Sequence, residues 1–224
     1  MSAHPLPALS LLETRVLGVL VEKQHTVPDA YPLTLNALVG GCNQKTSRDP
    51  VIDATDPEVL AAVDHLKSLA LVVESSGGRV MRYAQNVGRV LGVPPQAVAL
   101  IAAMFLRGPQ TVGELRINTE RLHRFSDISA VEAFLDELAE RPAGALVREL
   151  PRQPGARETR WTHLMSGEPP PDAAASDPAG TAGGQQVTVG EIAALKANVD
   201  RLESDVSDLK ETVARLCREL GIAG

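Results

Sequence analysis

The run Asn43-Gln44-Lys45-Thr46-Ser47-Arg48-Asp49-Pro50 is the segment of the sequence richest in groups that could do chemistry. Lys45 and Arg48 supply cationic donors, while Asn43, Gln44, Thr46 and Ser47 supply neutral hydrogen-bonding groups. Cations that release counterions, next to hydroxyls and amides that fix register, are what a phosphate backbone needs. The run falls between two expected helices, where a helix-turn-helix approaches the DNA backbone. Lys45, Thr46, Ser47 and Arg48 are therefore candidate DNA contacts, joined by Arg79 and Arg82 on the hairpin that follows. A structural assignment competes: Arg48 pairs with Asp49, while Asn43 and Ser47 satisfy the backbone of a turn.

Other chemistries find little support. Gly40-Gly41-Cys42-Asn43-Gln44-Lys45-Thr46 ends like a phosphate-binding loop but lacks its glycine spacing and its preceding strand. Neither G-x-G-x-x-G nor G-x-S-x-G occurs. The five histidines (His4, His25, His65, His123 and His163) show no i,i+4 pair, and no C-x-x-C accompanies them. No metal, cofactor or catalytic residue is implied, and the expectation is a protein that is not an enzyme. Cys42 reads as a small apolar helix residue, and Trp161 as core.

The elements that must position the polar run are well signalled. Ser10 and Glu13 form an S-x-x-E capping box ahead of Leu12, Val16 and Leu20 at helical spacing. A short helix over 34–42 runs out at Gly40-Gly41. A third helix is capped by Asp56, with Pro57 in its first turn and Val59, Val63, Leu66 and Ala70 as its buried stripe. Strands over 71–74 and 80–84 flank the hairpin signal Ser75-Ser76-Gly77-Gly78. Three helices followed by a two-stranded hairpin is the winged-helix order. It then repeats: a helix opened by Pro94-Pro95, a second over 111–122, a third behind the box Ser129-x-x-Glu132, and strands over 146–150 and 158–164.

Segment charges qualify the DNA reading. The chain carries a net charge of −6; residues 1–87 hold seven Lys/Arg against nine Asp/Glu, residues 88–165 ten against nine, and residues 166–224 five against ten. The first would-be recognition helix presents Glu58, Asp64, His65, Lys67 and Ser68; the second presents Glu132, Asp136, Glu137 and Glu140. Carboxylates facing phosphates oppose binding, and base edges are read mostly by Arg, Lys, Asn and Gln. Aromatic residues are only 3% of the chain, so the core is aliphatic. Two distant cysteines, a start without a signal-peptide pattern and the lack of a long apolar run point to a cytoplasmic protein with no membrane partner.

Residues 166–186 are expected to be a disordered linker: 167–186 holds four Pro, four Gly and five Ala, with no Leu, Ile, Val or aromatic residue. Beyond it, Ile192, Leu195, Val199, Leu202, Val206, Leu209, Val213, Leu216 and Leu220 alternate spacings of three and four. β-Branched residues at position a and Leu at d favour a parallel two-stranded coiled coil, which makes these nine the candidate homodimer seam.

Two long motifs carry a family resemblance. Tyr31-Pro32-Leu33-Thr34-Leu35-Asn36-Ala37-Leu38 leading into 42–51, and Leu106-Arg107-Gly108-Pro109-Gln110-Thr111-Val112-Gly113-Glu114-Leu115-Arg116, resemble the hallmarks of the YceH-like family of bacterial proteins. Phe125-Ser126-Asp127 and the stretch 154–160 continue the likeness, which covers about residues 9–165. It implies tandem winged helices and carries over no ligand, reaction or site residue.

The expected fold class is mainly α with small β-hairpin wings (α+β): two tandem winged-helix domains at 1–86 and 87–165, the linker, and a coiled-coil helix at 187–221. Two functions compete. One is a dimeric DNA-binding regulator docking double-stranded DNA through its first domain. The other is a protein-interaction scaffold, resembling the tandem winged-helix subunits of chromosome-segregation complexes, that uses its acidic helix faces.

Overall fold

The most apolar stretches of the sequence, Val16-Leu17-Gly18-Val19-Leu20-Val21 and Ala97 to Leu106, are each apolar all round. A helix with no polar face must be surrounded. In a computed structural model, which describes residues 6–75, 80–153 and 155–169, both stretches are buried along their whole length. They lie in helices α1 (Leu11–Thr26) and α5 (Pro95–Arg107). α1 begins at the expected capping box: Ser10 accepts from the Glu13 N–H at 3.3 Å, and Glu13 accepts from the Ser10 N–H at 2.6 Å.

After α1 come strand β1 (Leu33–Thr34), helices α2 (Leu35–Cys42) and α3 (Asp56–Ser68), then strands β2 (Val72–Ser75) and β3 (Arg82–Gln85). The sheet is antiparallel in the order β1-β3-β2, with Leu33 opposite Tyr83 and Val72 opposite Gln85. The second half repeats the order. α5 is followed by α6 (Val112–Asn118), α7 (Ile128–Ala139), and the antiparallel strands β4 (Val147–Glu149) and β5 (Trp161–His163). Gln110 bridges Trp161 through both backbone hydrogen bonds, so it stands to β5 as β1 stands to β3. The result is a mainly helical α+β architecture with two small antiparallel sheets.

Several expected boundaries move. Thr55, not Asp56, is the N-cap of α3, and its N–H donates to Glu58 at 2.8 Å. Asp127, not Ser129, caps α7 by accepting from the Ala130 N–H. The second helix of the second half ends at Asn118 rather than 122. Ala70 lies past the end of α3 with φ +58°, and Ala62 takes its place in the buried stripe. A short helix α4 (Val87–Leu91) fills the junction between the halves, ending at Gly92 in the left-handed conformation. Gly40 and Gly41 lie inside α2 instead of ending it, because α1 crosses there: a Cβ on Gly41 would sit 2.5 Å from Val19 Cγ1.

The halves share one hydrophobic cluster running from Leu9 to Met165. α1 packs against α5 at Gly18, where a Cβ would meet Leu106 Cγ at 2.8 Å and Phe105 Cβ at 3.1 Å. Backbone hydrogen bonds join the halves from Leu9 to Met165 and from Asp49 to Leu106, each 2.8 Å. The linker at 166–186, beyond its first few residues, and the heptad helix at 187–221 lie outside the described residues.

Two glycine substitutions separate packing from propensity. Gly18→Ala is expected to destabilise the chain by about 1–3 kcal/mol through overpacking at the helix crossing. Gly40→Ala, with open space around its Cβ, is expected to stabilise it by up to ~1 kcal/mol through helix propensity. Urea denaturation of both variants checks the opposite signs.

Candidate functional site

The run from Asn43 to Pro50 leaves α2 and turns back toward α1. Asn43 makes a reciprocal pair with Ala54, donating to its carbonyl and accepting from its N–H, each at 2.8 Å. Ser47 takes a left-handed φ of +60°, which turns the chain inward. The Asp49–Pro50 peptide is cis. The Asn43–Ala54 pair and the turn at Ser47 aim the Arg48 side chain into the protein, where it is fully buried.

All five guanidinium donors of Arg48 have acceptors inside the chain. Nη1 donates to Glu22 Oε1 at 3.2 Å and to the Ser47 carbonyl at 2.8 Å. Nη2 donates to Glu22 Oε2 at 2.6 Å and to Gln44 Oε1 at 3.3 Å, and Nε donates to the Gly41 carbonyl at 3.1 Å. A guanidinium has five N–H donors and no more, so nothing remains for a phosphate. The partner is Glu22 on α1 rather than Asp49. Arg48 is thus a tie between the turn and α1, and of the two cations in the turn Lys45 alone faces outward.

Lys45, Thr46 and Ser47 are exposed on the outer side of the turn. Arg82, on β3, is exposed but donates to the Ala30 and Pro32 carbonyls at 3.3 and 2.8 Å. Arg79 and the nine heptad residues fall outside the described residues.

Sequence reasoning missed the two α1 residues that hold this turn. One is Glu22. The other is Arg15, fully buried, whose Nη1 donates to the Cys42 carbonyl at 3.2 Å and Nη2 to the Pro50 carbonyl at 2.6 Å. Arg15, Gly18 and Glu22 share one face of α1, at i, i+3 and i+7. The readable signal was two charged residues flanking the run 16–21, which is apolar on every side of the helix.

Burial raises the Glu22 carboxyl, but the hydrogen bonds and charge of Arg48 outweigh it and hold its pKa below the ordinary 4.5. Burial pushes the Cys42 thiol up to about 12, which leaves it a packing residue. His65 pairs with Glu13, and burial pulls His163, edge-on to Phe105 at 4.8 Å, down to about 4. Among the described residues no cluster of His, Cys, Asp or Glu could hold a metal ion. No helix among them is long and apolar enough to cross a membrane.

The second motif is also turned inward. Gln110, buried, donates from Nε2 to the Ala103 and Gly108 carbonyls and accepts from Asn118 Nδ2 at 2.7 Å. Arg160 forks onto Glu114 at 3.0 and 3.2 Å and donates to the Pro109 carbonyl at 2.8 Å. Trp161 is core, as expected.

A helical α+β chain with these two motifs in this order belongs to the family described as "Protein of unknown function, DUF480", which matches residues 9–156. Its relatives bear the name UPF0502 protein. The chain is 60% identical over 217 residues to the one from Methylibium petroleiphilum, covering 97% of this chain and 92% of the relative. It is 56% identical to the one from Dechloromonas aromatica (97% and 100% covered) and 58% identical to one from Burkholderia vietnamiensis (96% and 90% covered). The resemblance to the YceH-like bacterial family is thereby borne out, and neither the family's description nor the relatives' name states a reaction.

Arg48→Ala leaves Glu22 with only the partly exposed Lys23 at 3.2 Å as a cationic partner and is expected to cost about 3–5 kcal/mol of stability, with Arg48→Lys a poor substitute. Lys45→Ala is expected to stay within about 0.5 kcal/mol. Because the folded-state pKa of Glu22 is depressed, its stabilisation is complete above pH 4.5 and is lost as the pH falls through the folded value. The stability gap between the wild-type chain and Glu22→Gln, followed by urea denaturation, is expected to narrow over that acid range.

Proposed function

We propose that the chain is a cytoplasmic homodimer of tandem winged-helix units, serving as a protein-interaction scaffold that offers acidic helix faces to a partner. The winged-helix reading is supported by the helix-strand-helix-helix-strand-strand order of each half and by the outlying strand or bridge paired with each hairpin. The homodimer rests on the heptads of 187–221, with Ile192 to Leu220 as the seam.

The observation that carries the scaffold reading is the charge on the two third helices. α3 exposes Asp56, Glu58 and Asp64, and α7 exposes Glu132, Asp136 and Glu137. Lys67, the lysine of α3, pairs with Asp64 and Glu74. A face of carboxylates repels phosphates and suits a basic surface on a protein.

A second reading, phosphate docking by the first half, is favoured by the consecutive exposure of Lys45, Thr46 and Ser47 on the outer side of the turn. Titration of the full chain against labelled random duplex DNA at two salt concentrations separates the two. The scaffold reading expects no binding at low salt. Binding that falls steeply with salt and disappears in Lys45→Ala would establish the DNA reading instead. For the dimer, Val206→Asp with Leu209→Asp is expected to halve the mass measured by light scattering; an unchanged mass contradicts the heptad seam.

A further inference from the structure

A cavity of about 360 Å³ opens where the two halves meet. Its walls come from four separate places: the segment before α1 (Leu6), helix α4 (Val90, Leu91), the connection from α7 to β4 (Arg141, Leu146) and the residues after β5 (Met165). Small-molecule sites favour such junctions between units.

Its chemistry is asymmetric. The named walls are aliphatic or thioether, and Arg141 is the one ionisable residue in the lining. Arg141 is half-buried, and its Nη2 donates to the Leu91 carbonyl at 2.6 Å, which fixes the guanidinium at the cavity wall. Among the described residues no carboxylate pairs with it, in contrast to Arg48, Arg124, Arg148 and Arg160, which all have acidic partners. A guanidinium held against apolar walls presents its remaining donors to a planar anion, and it favours a carboxylate, which it can bind through two parallel hydrogen bonds.

We propose that this cavity binds a small aliphatic monocarboxylate, with its carboxylate on Arg141 and its chain against Leu6, Val90, Leu91, Leu146 and Met165. The volume holds roughly ten non-hydrogen atoms, taking about 30 Å³ for a water-sized group. That is the size of a medium-chain acid such as octanoate. Because the walls belong to both halves, the bound acid adds contacts across their junction. The site is independent of whichever partner the acidic helix faces meet.

Isothermal titration of the full chain with octanoate, octan-1-ol and succinate tests the assignment. Octanoate is expected to bind once per chain with a Kd below about 1 mM, at least tenfold tighter than octan-1-ol or succinate. Arg141→Gln is expected to weaken octanoate at least tenfold. Ala145→Phe, which keeps the guanidinium but fills part of the lining, is expected to weaken it as well. Thermal melts of both variants without ligand, near that of the wild-type chain, show that the loss belongs to the site. A melt far below wild type in Arg141→Gln leaves Ala145→Phe to decide. Absence of saturable octanoate binding overturns the proposal. So does octan-1-ol binding as tightly, or octanoate binding unchanged in Ala145→Phe.

Discussion

A charged guanidinium with no solvent on any side dictates much of what surrounds it. Arg48 is stable inside the chain only because Glu22 supplies the opposite charge and the Gly41 and Ser47 carbonyls and Gln44 accept its other donors. Those partners come from α1, from α2 and from the turn itself, so satisfying one side chain fixes three pieces of backbone relative to one another. Arg15 does the same work from the opposite direction, reaching out of α1 to the carbonyls at the two ends of the turn. The Asp49 N–H then carries the turn onto the end of α5 at the Leu106 carbonyl. A polar run that looks made for an external ligand is, for the most part, an internal joint.

The second half meets a related requirement with mostly neutral groups. Gln110 is buried beside the end of α5, and its amide satisfies two carbonyls while its oxygen takes the Asn118 amide. Arg160 adds the charged part, binding β5's approach to Glu114 at the start of α6. The polar turn thus follows the end of α2, and Gln110 follows the end of α5. Between them, α1 and α5 approach closely enough at Gly18 to exclude a Cβ, and the two halves bury a common core. The surface left to meet partners is then the outer faces of α3 and α7, the outward side of the turn at Lys45 and the hairpins.

Local signals in the sequence carried the element order well. The capping box at Ser10 and Pro95 at the start of α5 act through neighbours a few residues away, so pattern alone found them, and the caps expected at Asp56 and Ser129 fall within two residues of Thr55 and Asp127. What could not be read locally was the pairing of distant residues. Glu22 lies 26 positions from Arg48, and Asn43 finds Ala54 across a turn whose path nothing nearby announces. Arg48 therefore looked available to phosphate when its acceptors were already in the chain. α4 was missed because five residues between β3 and α5 give too short a period to register.

The internal role of the first motif is tested most directly by a double-mutant cycle on Glu22→Gln and Arg48→Met, followed by urea denaturation of the full chain. If the pair anchors the turn, each single change destabilises, and the double variant recovers at least about 1 kcal/mol of the summed loss. Losses that add to within about 0.3–0.5 kcal/mol, with Arg48→Met close to wild type, would mean that the two side chains are not coupled and that Arg48 is free to serve an external ligand.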